Sequence, residues 1–216
     1  MATDILPRKK QILKEMHDAL ERNRKLREKL HQHGSWNDIG TTRPLANSDK
    51  RDLTVFIFFE TAAVFETFSQ EAFLLAVRKK FGVQPKLAKN IAGNIDRGLQ
   101  GIMGWAAPPM IVDRAKAVFG KTHFLAKIKD TLPQYHYDWL SHAHRVRNRI
   151  AHPSDGAKQQ LNRLHTALGV PQTARKGAGP GRILSEYPSA VADDDRWFHR
   201  FLKAYEGYCD LISSKL

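Results

Sequence analysis

The sequence predicts an all-α fold. Apolar residues recur at helical spacing along most of the chain, and no stretch shows sustained alternation of apolar and polar residues. Glycine and proline interrupt these periodic stretches where helices are expected to end. Hydrophobic residues make up 42% and charged residues 26% of the 216 residues, which is typical of a globular protein and not of a disordered chain.

The first predicted segment, 1–48, is a long amphipathic helix followed by a loop. The helix covers 5–33, where a narrow apolar stripe runs between lysine, arginine and glutamate residues. Gly34 ends the helix, and 35–48 contains the glycine, proline and asparagine residues of a loop.

The second predicted segment, 49–169, is a core bundle. Its first helix carries seven phenylalanines, too many for one face, so we expect this helix to be covered on most sides. A break rich in glycine and proline around Trp105 divides the segment. The predicted helices cover 49–81, 85–99, 109–119, 123–131, 134–152 and 157–168.

The last two predicted segments are a flexible basic loop over 170–192 and a helix over 193–216. The loop contains glycine, proline, arginine and lysine residues. Trp197 begins an apolar stripe at helical spacing that reaches Leu211, so we expect the final helix to pack on the core.

The charge balance indicates a polyanionic partner. Lys and Arg number 35 against 22 Asp and Glu, which gives a net charge of +13 and a pI near 10.0. RNA, DNA and an anionic membrane are the candidates, and a charge excess of this size favours nucleic acid.

Several features favour a cytoplasmic protein without a membrane segment. The most apolar run, 53–68, contains Glu60 and Glu66 and is too short and too polar to span a bilayer. The N-terminus is charged from Arg8 onward and shows no apolar signal segment. The single cysteine, Cys209, fits a reducing compartment.

The sequence favours chemistry without a metal or a cofactor. His142 and His144 are two residues apart, so on a helix their side chains point in different directions, and no second thiol is present to complete a zinc site. No P-loop and no glycine-rich dinucleotide motif occurs. We therefore expect neither a metal nor a cofactor.

The candidate functional residues lie in 145–153. Pro153 disfavours helical geometry at the preceding residue, so His152 is expected at or just beyond a helix end. Asn148 lies one turn earlier on the same face, and the long side chain of Arg147 reaches the same place.

This set of residue types suits a phosphodiester. An imidazole can transfer a proton near neutral pH, a guanidinium can hold phosphate oxygens, and an amide can orient either group. RNA supplies its own nucleophile, the 2′-OH. The alternative is that His152 only caps carbonyl groups at the helix end, since an arginine and a histidine at this spacing also occur by chance.

At these residues the sequence resembles the HEPN superfamily (higher eukaryotes and prokaryotes nucleotide-binding domains). The family motif Arg-Asn-x-x-x-His stands here as Arg147-Asn148-Arg149-Ile150-Ala151-His152, and the resemblance covers 49–168. The family fold is a bundle of four or five helices, usually dimeric, with two copies of the motif facing each other across a cleft. The Phe65-Glu66-Thr67-Phe68 stretch resembles the family's polar residue in an early core helix, with Glu60 as the second choice.

The resemblance implies a metal-independent endoribonuclease that leaves a 2′,3′-cyclic phosphate. Such proteins are toxins of toxin–antitoxin modules or effectors of phage defence, so RNA, a second copy of the chain and a cognate antitoxin are the implied partners. His152 would transfer protons, Arg147 would stabilise the phosphate and Asn148 would position them, with Glu66 as a further catalytic candidate. Arg145 and Arg149 would be supporting phosphate contacts. Apart from the resemblance, the charge and glycine content of the basic loop make Arg175, Lys176 and Arg182 further RNA-binding candidates. The alternative is that this loop is only a linker.

Two other functions remain open at this point. A non-catalytic HEPN-like module would use the same basic surface to bind RNA or a nucleotide, or would serve as a dimerising partner. A helical DNA-binding protein ranks last, because no helix-turn-helix pattern is found.

Overall fold

The structure, a computed structural model, describes residues 4–33, 35–38, 41–98, 104–152, 154–175, 178–188 and 192–216. It confirms the predicted all-α fold. The helices are α1 (Ile5–His33), α2 (Asn47–Phe81), α3 (Pro85–Gly98), α4 (Pro108–Phe119), α5 (Ile128–Thr131), α6 (Gln134–Ala151), α7 (Asp155–Ala167), α8 (Gln172–Arg175), α9 (Pro180–Glu186) and α10 (Trp197–Lys215). Short 3-10 helices cover Phe124–Lys127 and Asp193–Asp195.

The long helices end where the sequence predicts. Gly82 follows α2 with a positive φ of 65°, a conformation that glycine adopts without steric cost. Its N–H donates to the carbonyl oxygen of Arg78 at 2.9 Å. Gly34, which was expected to end α1, lies outside the described residues.

The predicted loop at 35–48 contains a hairpin that the sequence does not predict. Strand β1 (Ser35–Asp38) pairs antiparallel with strand β2 (Thr41–Pro44), and Trp36 stands opposite Arg43. Strands of four residues are too short to show the alternation from which a strand is recognised.

The segment 170–192, expected to be a flexible loop, contains α8 and α9. Ile183 and Leu184 of α9 are completely buried, and Tyr187 just after it is nearly so. Burial of these apolar side chains offsets the entropy lost in ordering the segment. Residues 176–177 and 189–191 of this segment are not among those described.

The chain forms two compact units, and both contain parts of α1, α2, α6 and α10. The first comprises Met1–Asp18, Ala63–Ser141 and Lys203–Leu216. In its core the ring of Phe65 stacks on Tyr205 with 4.2 Å between centroids and meets the edge of Tyr208 at 5.4 Å. Phe73 packs against Trp105 at 5.0 Å in the same unit.

The second unit comprises Ala19–Ala62 and His142–Leu202. Its core contains Phe58 and Phe201, whose ring centroids lie 5.7 Å apart. A buried hydrogen bond joins α1 to α2, in which the Asn23 amide donates to the Thr61 hydroxyl at 2.8 Å. Polar groups buried in this way are stable only when they are hydrogen-bonded, so this pair fixes how the two helices align within the unit.

No helix among the described residues is both long enough and apolar enough to cross a membrane. The longest one, α2, has 35 residues, but it carries charged residues along its length.

Replacement of Phe65 by alanine should lower the free energy of unfolding by about 3–5 kcal/mol, because it removes a completely buried ring from the aromatic cluster. The matched control is Phe56→Ala on the same helix, where 71% of the residue is exposed. We expect the control to change stability by less than about 0.5 kcal/mol. Urea unfolding measures both, and equal losses in the two variants would contradict the packing described here.

Candidate functional site

The candidate residues occupy the last turns of α6 and the residue that follows it. The helix ends at Ala151, and the N–H of His152 donates to the carbonyl oxygen of Asn148 at 2.9 Å. His152 therefore continues the helical turn and sits at the C-terminal end of the helix, as predicted. Its side chain is exposed. Pro153, on which that prediction rests, lies outside the described residues, and α7 begins with Ser154 as its N-cap.

The polar residues of α6 form a continuous arc around the helix. Ala143 and Val146 are completely buried and fix the inner side of the helix. Each residue advances by about 100° around the helix axis. The half-buried Arg147, then Asn148 and then His152 therefore lie progressively farther from the buried side of the helix. The backbone thus places the amide between the guanidinium and the imidazole.

Arg147 is linked through Asn148 to His144, which is not among the site residues predicted from the sequence. The guanidinium Nη1 of Arg147 donates to Oδ1 of Asn148 over a long 3.5 Å. The amide Nδ2 of Asn148 donates to Nε2 of His144 at 2.9 Å. Because a guanidinium can only donate, the amide oxygen must face Arg147, and the amide nitrogen is left for His144.

This arrangement requires a neutral His144 with an unprotonated Nε2. Burial, together with the positive charges of Arg147 and Arg145, lowers the pKa of His144 from 6.5 to about 4. The imidazole is therefore neutral at physiological pH and can accept the hydrogen bond from Asn148. His144 thus holds the amide in the orientation that Arg147 needs.

Arg147 has a second contact, with α2. Its guanidinium carbon lies 5.8 Å from the centroid of the Phe59 ring, within the range of a cation–π interaction. The amide of Asn148 and the ring of Phe59 together restrict a side chain that is otherwise flexible.

Arg145 and Arg149 add positive charge to the same end of α6. Both are half-buried, and Nη1 of Arg149 is removed from solvent without a hydrogen-bond partner among the described residues. The sequence has no acidic residue between Asp138 and Asp155. The positive charge of these arginines is therefore not offset by neighbours along the helix.

Glu66 belongs to the other compact unit, where it supports the chain before α4. Its Oε1 accepts a hydrogen bond from the N–H of Trp105 at 3.0 Å. A Cβ at Gly104 would collide with the same carboxylate, so the close approach depends on that glycine. This contact gives Glu66 a structural role, and its catalytic role stays a prediction.

Arg175 and Arg182, predicted to bind RNA, are tied to the short helices of 170–192. Arg175 Nε donates to the carbonyl oxygen of Val170 at 2.9 Å. Arg182 pairs with Glu186 at 3.0 Å, and Glu186 also forms an ion pair with Arg51. These contacts partly satisfy both guanidiniums, so RNA binding by them remains a prediction.

Lys176, the third RNA-binding candidate in that segment, lies outside the described residues. The described residues contain no group of three or more His, Cys, Asp or Glu side chains placed to hold a metal ion.

Comparison with protein-family models, with characterised proteins and with solved structures finds no match to this chain. The HEPN resemblance therefore rests on the motif from Arg147 to His152 and on the Phe65–Phe68 stretch.

The variant His144→Gln should flatten the pH dependence of stability. In the unfolded chain the histidine takes up a proton below about pH 6.5, whereas in the folded protein it does so only near the lowered pKa of about 4. The unfolded state thus binds more protons between these two values, and the free energy of unfolding falls as the pH falls through this window. A shift of this size corresponds to about 3 kcal/mol.

Glutamine does not titrate and still offers an oxygen acceptor, so the variant should lose most of this dependence. Urea unfolding from about pH 7 to about pH 4 measures the difference from wild type. The control is His17→Gln, since His17 is exposed on α1. An identical pH dependence in wild type and His144→Gln would show that His144 does not hold a buried neutral position.

Proposed function

We propose that this protein is a metal-independent endoribonuclease that cleaves RNA through attack of the 2′-OH on the adjacent phosphorus. The observation that carries the proposal is the Arg147 guanidinium, which contacts Asn148 and Phe59, on the same helix end as the exposed imidazole of His152. A held guanidinium and an accessible proton-transfer group are the two parts that this reaction requires of a protein.

His152 is the proton-transfer group of the reaction. One imidazole removes the proton of the 2′-OH, whose oxygen then forms a bond to phosphorus as the bond from phosphorus to the 5′-oxygen breaks. The leaving 5′-oxygen takes a proton from a second imidazole. The products are a 2′,3′-cyclic phosphate and a free 5′-OH, and no water or metal ion enters the balance.

Arg147 stabilises the charge that builds on the phosphate oxygens. Because Asn148 and Phe59 already hold its guanidinium, little reorganisation is needed when that charge develops. Arg145 and Arg149 extend the positive surface to the neighbouring phosphates of the RNA.

The second imidazole comes from a second copy of the chain in this proposal. Two chains related by a twofold axis bring two copies of the α6 end into one cleft, so that one His152 acts as base and the other as acid. This arrangement agrees with the HEPN resemblance, which extends the proposal to a cytoplasmic toxin controlled by an antitoxin or to an effector of phage defence.

Purified protein should cleave single-stranded RNA in excess EDTA and leave 2′,3′-cyclic phosphate ends. His152→Ala should lower the single-turnover rate by at least about a hundredfold, because it removes the proton-transfer group. Arg147→Ala should lower the rate by about a hundredfold through loss of charge stabilisation. Denaturing gels and the chemistry of the product ends provide the measurement.

The matched controls are His17→Ala and Arg163→Ala, which make the same changes at exposed positions of α1 and α7. Both should cleave like wild type. Wild type and His152→Ala are mixed in equal amounts at constant total protein and allowed to exchange subunits. The rate should then fall to about a quarter of the wild-type rate if both imidazoles are needed, and to about half if they act independently. Intact RNA with wild type, or equal cleavage by all variants, would overturn the proposed function.

A further inference from the structure

A groove in the first compact unit is lined by four lysines. It has a volume of about 530 Å³ and is formed by α4, the turn after it, α5 and the start of α6. All of its lining residues belong to the first unit. The four lysines are exposed, and we call the site the lysine groove after them: Lys116, Lys121, Lys127 and Lys129.

Buried residues between the lysines hold the backbone of the lysine groove. Gly120 ends α4 with a positive φ of 84°, and its N–H donates to the carbonyl oxygen of Lys116 at 3.1 Å. Leu125 and Ile128 are then completely buried, so the turn after α4 and the start of α5 are anchored in the core of the unit. The backbone of the groove is therefore fixed, while the exposed lysine side chains can follow a ligand.

The lysine groove carries an excess of positive charge. Among the described residues, none of its four ammonium groups forms an ion pair or a hydrogen bond. The lining also contains Asp113 and Asp130, so lysines outnumber carboxylates by two to one. From Arg114 to Lys129 the sequence has five basic residues and no acidic one. Like charges gathered around one groove repel each other, and an anionic ligand removes that repulsion.

Positive charge continues from the groove toward the end of α2. Lys80 is exposed, and burial together with the charge of this lysine lowers the pKa of His123. Lys80 therefore lies near the imidazole, which follows Lys121 by two residues in the sequence. A positive surface to which lysines of α2, α4 and α5 all contribute favours an extended polyanion over a single phosphate group.

The lining also favours nucleic acid over a protein or a small ligand. Lysine is depleted at protein–protein interfaces, which depend on buried aromatic or aliphatic anchors. None of the exposed large apolar side chains of the described residues lines this groove. A pocket for a small ligand offers a few polar groups at fixed positions, whereas lysines act as point charges that suit the repeated phosphates of a nucleic acid.

We propose that the lysine groove binds the sugar-phosphate backbone of an RNA strand, in addition to the contacts at the end of α6. This inference rests on the proposed function in taking RNA as the nucleic acid. Each lysine that contacts a phosphate releases a counterion, so the groove adds affinity that falls steeply with salt. Contacts to phosphates carry no sequence information, so this affinity is the same for RNAs of different sequence.

Binding is measured in the His152→Ala protein, which cannot consume the RNA. Fluorescence anisotropy with a single-stranded oligonucleotide in EDTA gives Kd over a range of salt. Adding Lys121→Gln and Lys129→Gln should lower the slope of log Kd against log salt by about 1.4, since each contact to a single strand contributes about 0.7, and should raise Kd roughly twentyfold at about 0.1 M salt. The matched control, Lys10→Gln with Lys29→Gln, removes the same charge from exposed positions of α1 and should leave both values close to those of the parent.

A carboxylate of the groove provides a change of opposite sign. Asp113→Asn removes a charge that repels phosphates in the groove and should lower Kd by about threefold. Its control is Glu28→Gln, which removes the same charge from an exposed position of α1 and should leave Kd unchanged. Damage to the fold would weaken binding, so tighter binding by Asp113→Asn reports charge in the groove itself.

Four results would overturn the inference. Equal Kd values and salt slopes for the groove pair and the control pair would exclude RNA from the groove, while the cleavage experiment still decides the proposed function. Poly-glutamate that binds as tightly as RNA, and only with the groove lysines present, would assign the groove to an acidic segment of a protein. Inorganic diphosphate that binds with micromolar affinity in calorimetry, and not to the groove pair, would assign it to a small phosphate ligand. A parent protein that binds no RNA would remove both this inference and the proposed function.

Discussion

The hydrogen-bonded series from His144 through Asn148 to Arg147 is the interaction on which the candidate site depends. A guanidinium on four rotatable bonds has no fixed position by itself, and a site that must stabilise charge needs it held in advance. The amide of Asn148 supplies the acceptor, and its orientation is set in turn by an imidazole that burial keeps neutral. A charged His144 would present a donor to the donor of Asn148 and release Arg147.

The helices provide this series with its frame. Buried Ala143 and Val146 fix the inner side of α6, and the 3.6-residue turn places His144 and Asn148 one above the other. Phe59 comes from α2, which carries apolar residues on most of its faces. Some of its aromatic rings therefore lie outside the core, where they can contact Arg147. At the end of α6, the side chain of His152 is exposed to solvent. A helix C-terminus favours positive charge, such as that of Arg149 in the last turn of α6.

The sequence was informative wherever a local rule decides the structure. Helical periodicity predicts the long helices, and glycine with proline predicts where they end, as Gly82 shows. The positions of Arg147, Asn148 and His152 at a helix end are also predicted by a local rule, the spacing of these residues on one helix. The spacing of His144 from His142 does not suit a metal, and the relevant signal is instead its i,i+4 spacing to Asn148.

The features that the sequence did not reveal depend on contacts distant along the chain. The hydrogen bond from Trp105 to Glu66 joins residues 39 positions apart, so no local pattern predicts this structural contact of the carboxylate. The helix α9 is stabilised by the burial of Ile183 and Leu184. The glycine and proline residues of this segment favour a loop, so the composition does not predict the helix. The exposure of Phe56 follows from which face of α2 the other elements cover, and seven phenylalanines in one helix leave that undetermined.

The most direct measurement is the protonation state of His144 by NMR of its imidazole nitrogens in the native protein. The hydrogen bond from Asn148 requires the proton on Nδ1, an unprotonated Nε2, and a pKa lowered from 6.5 to about 4. In Asn148→Ala the imidazole should lose its preference for this tautomer. A proton on Nε2 in the wild-type protein, or titration of His144 near 6.5, would contradict the account of how Arg147 is held.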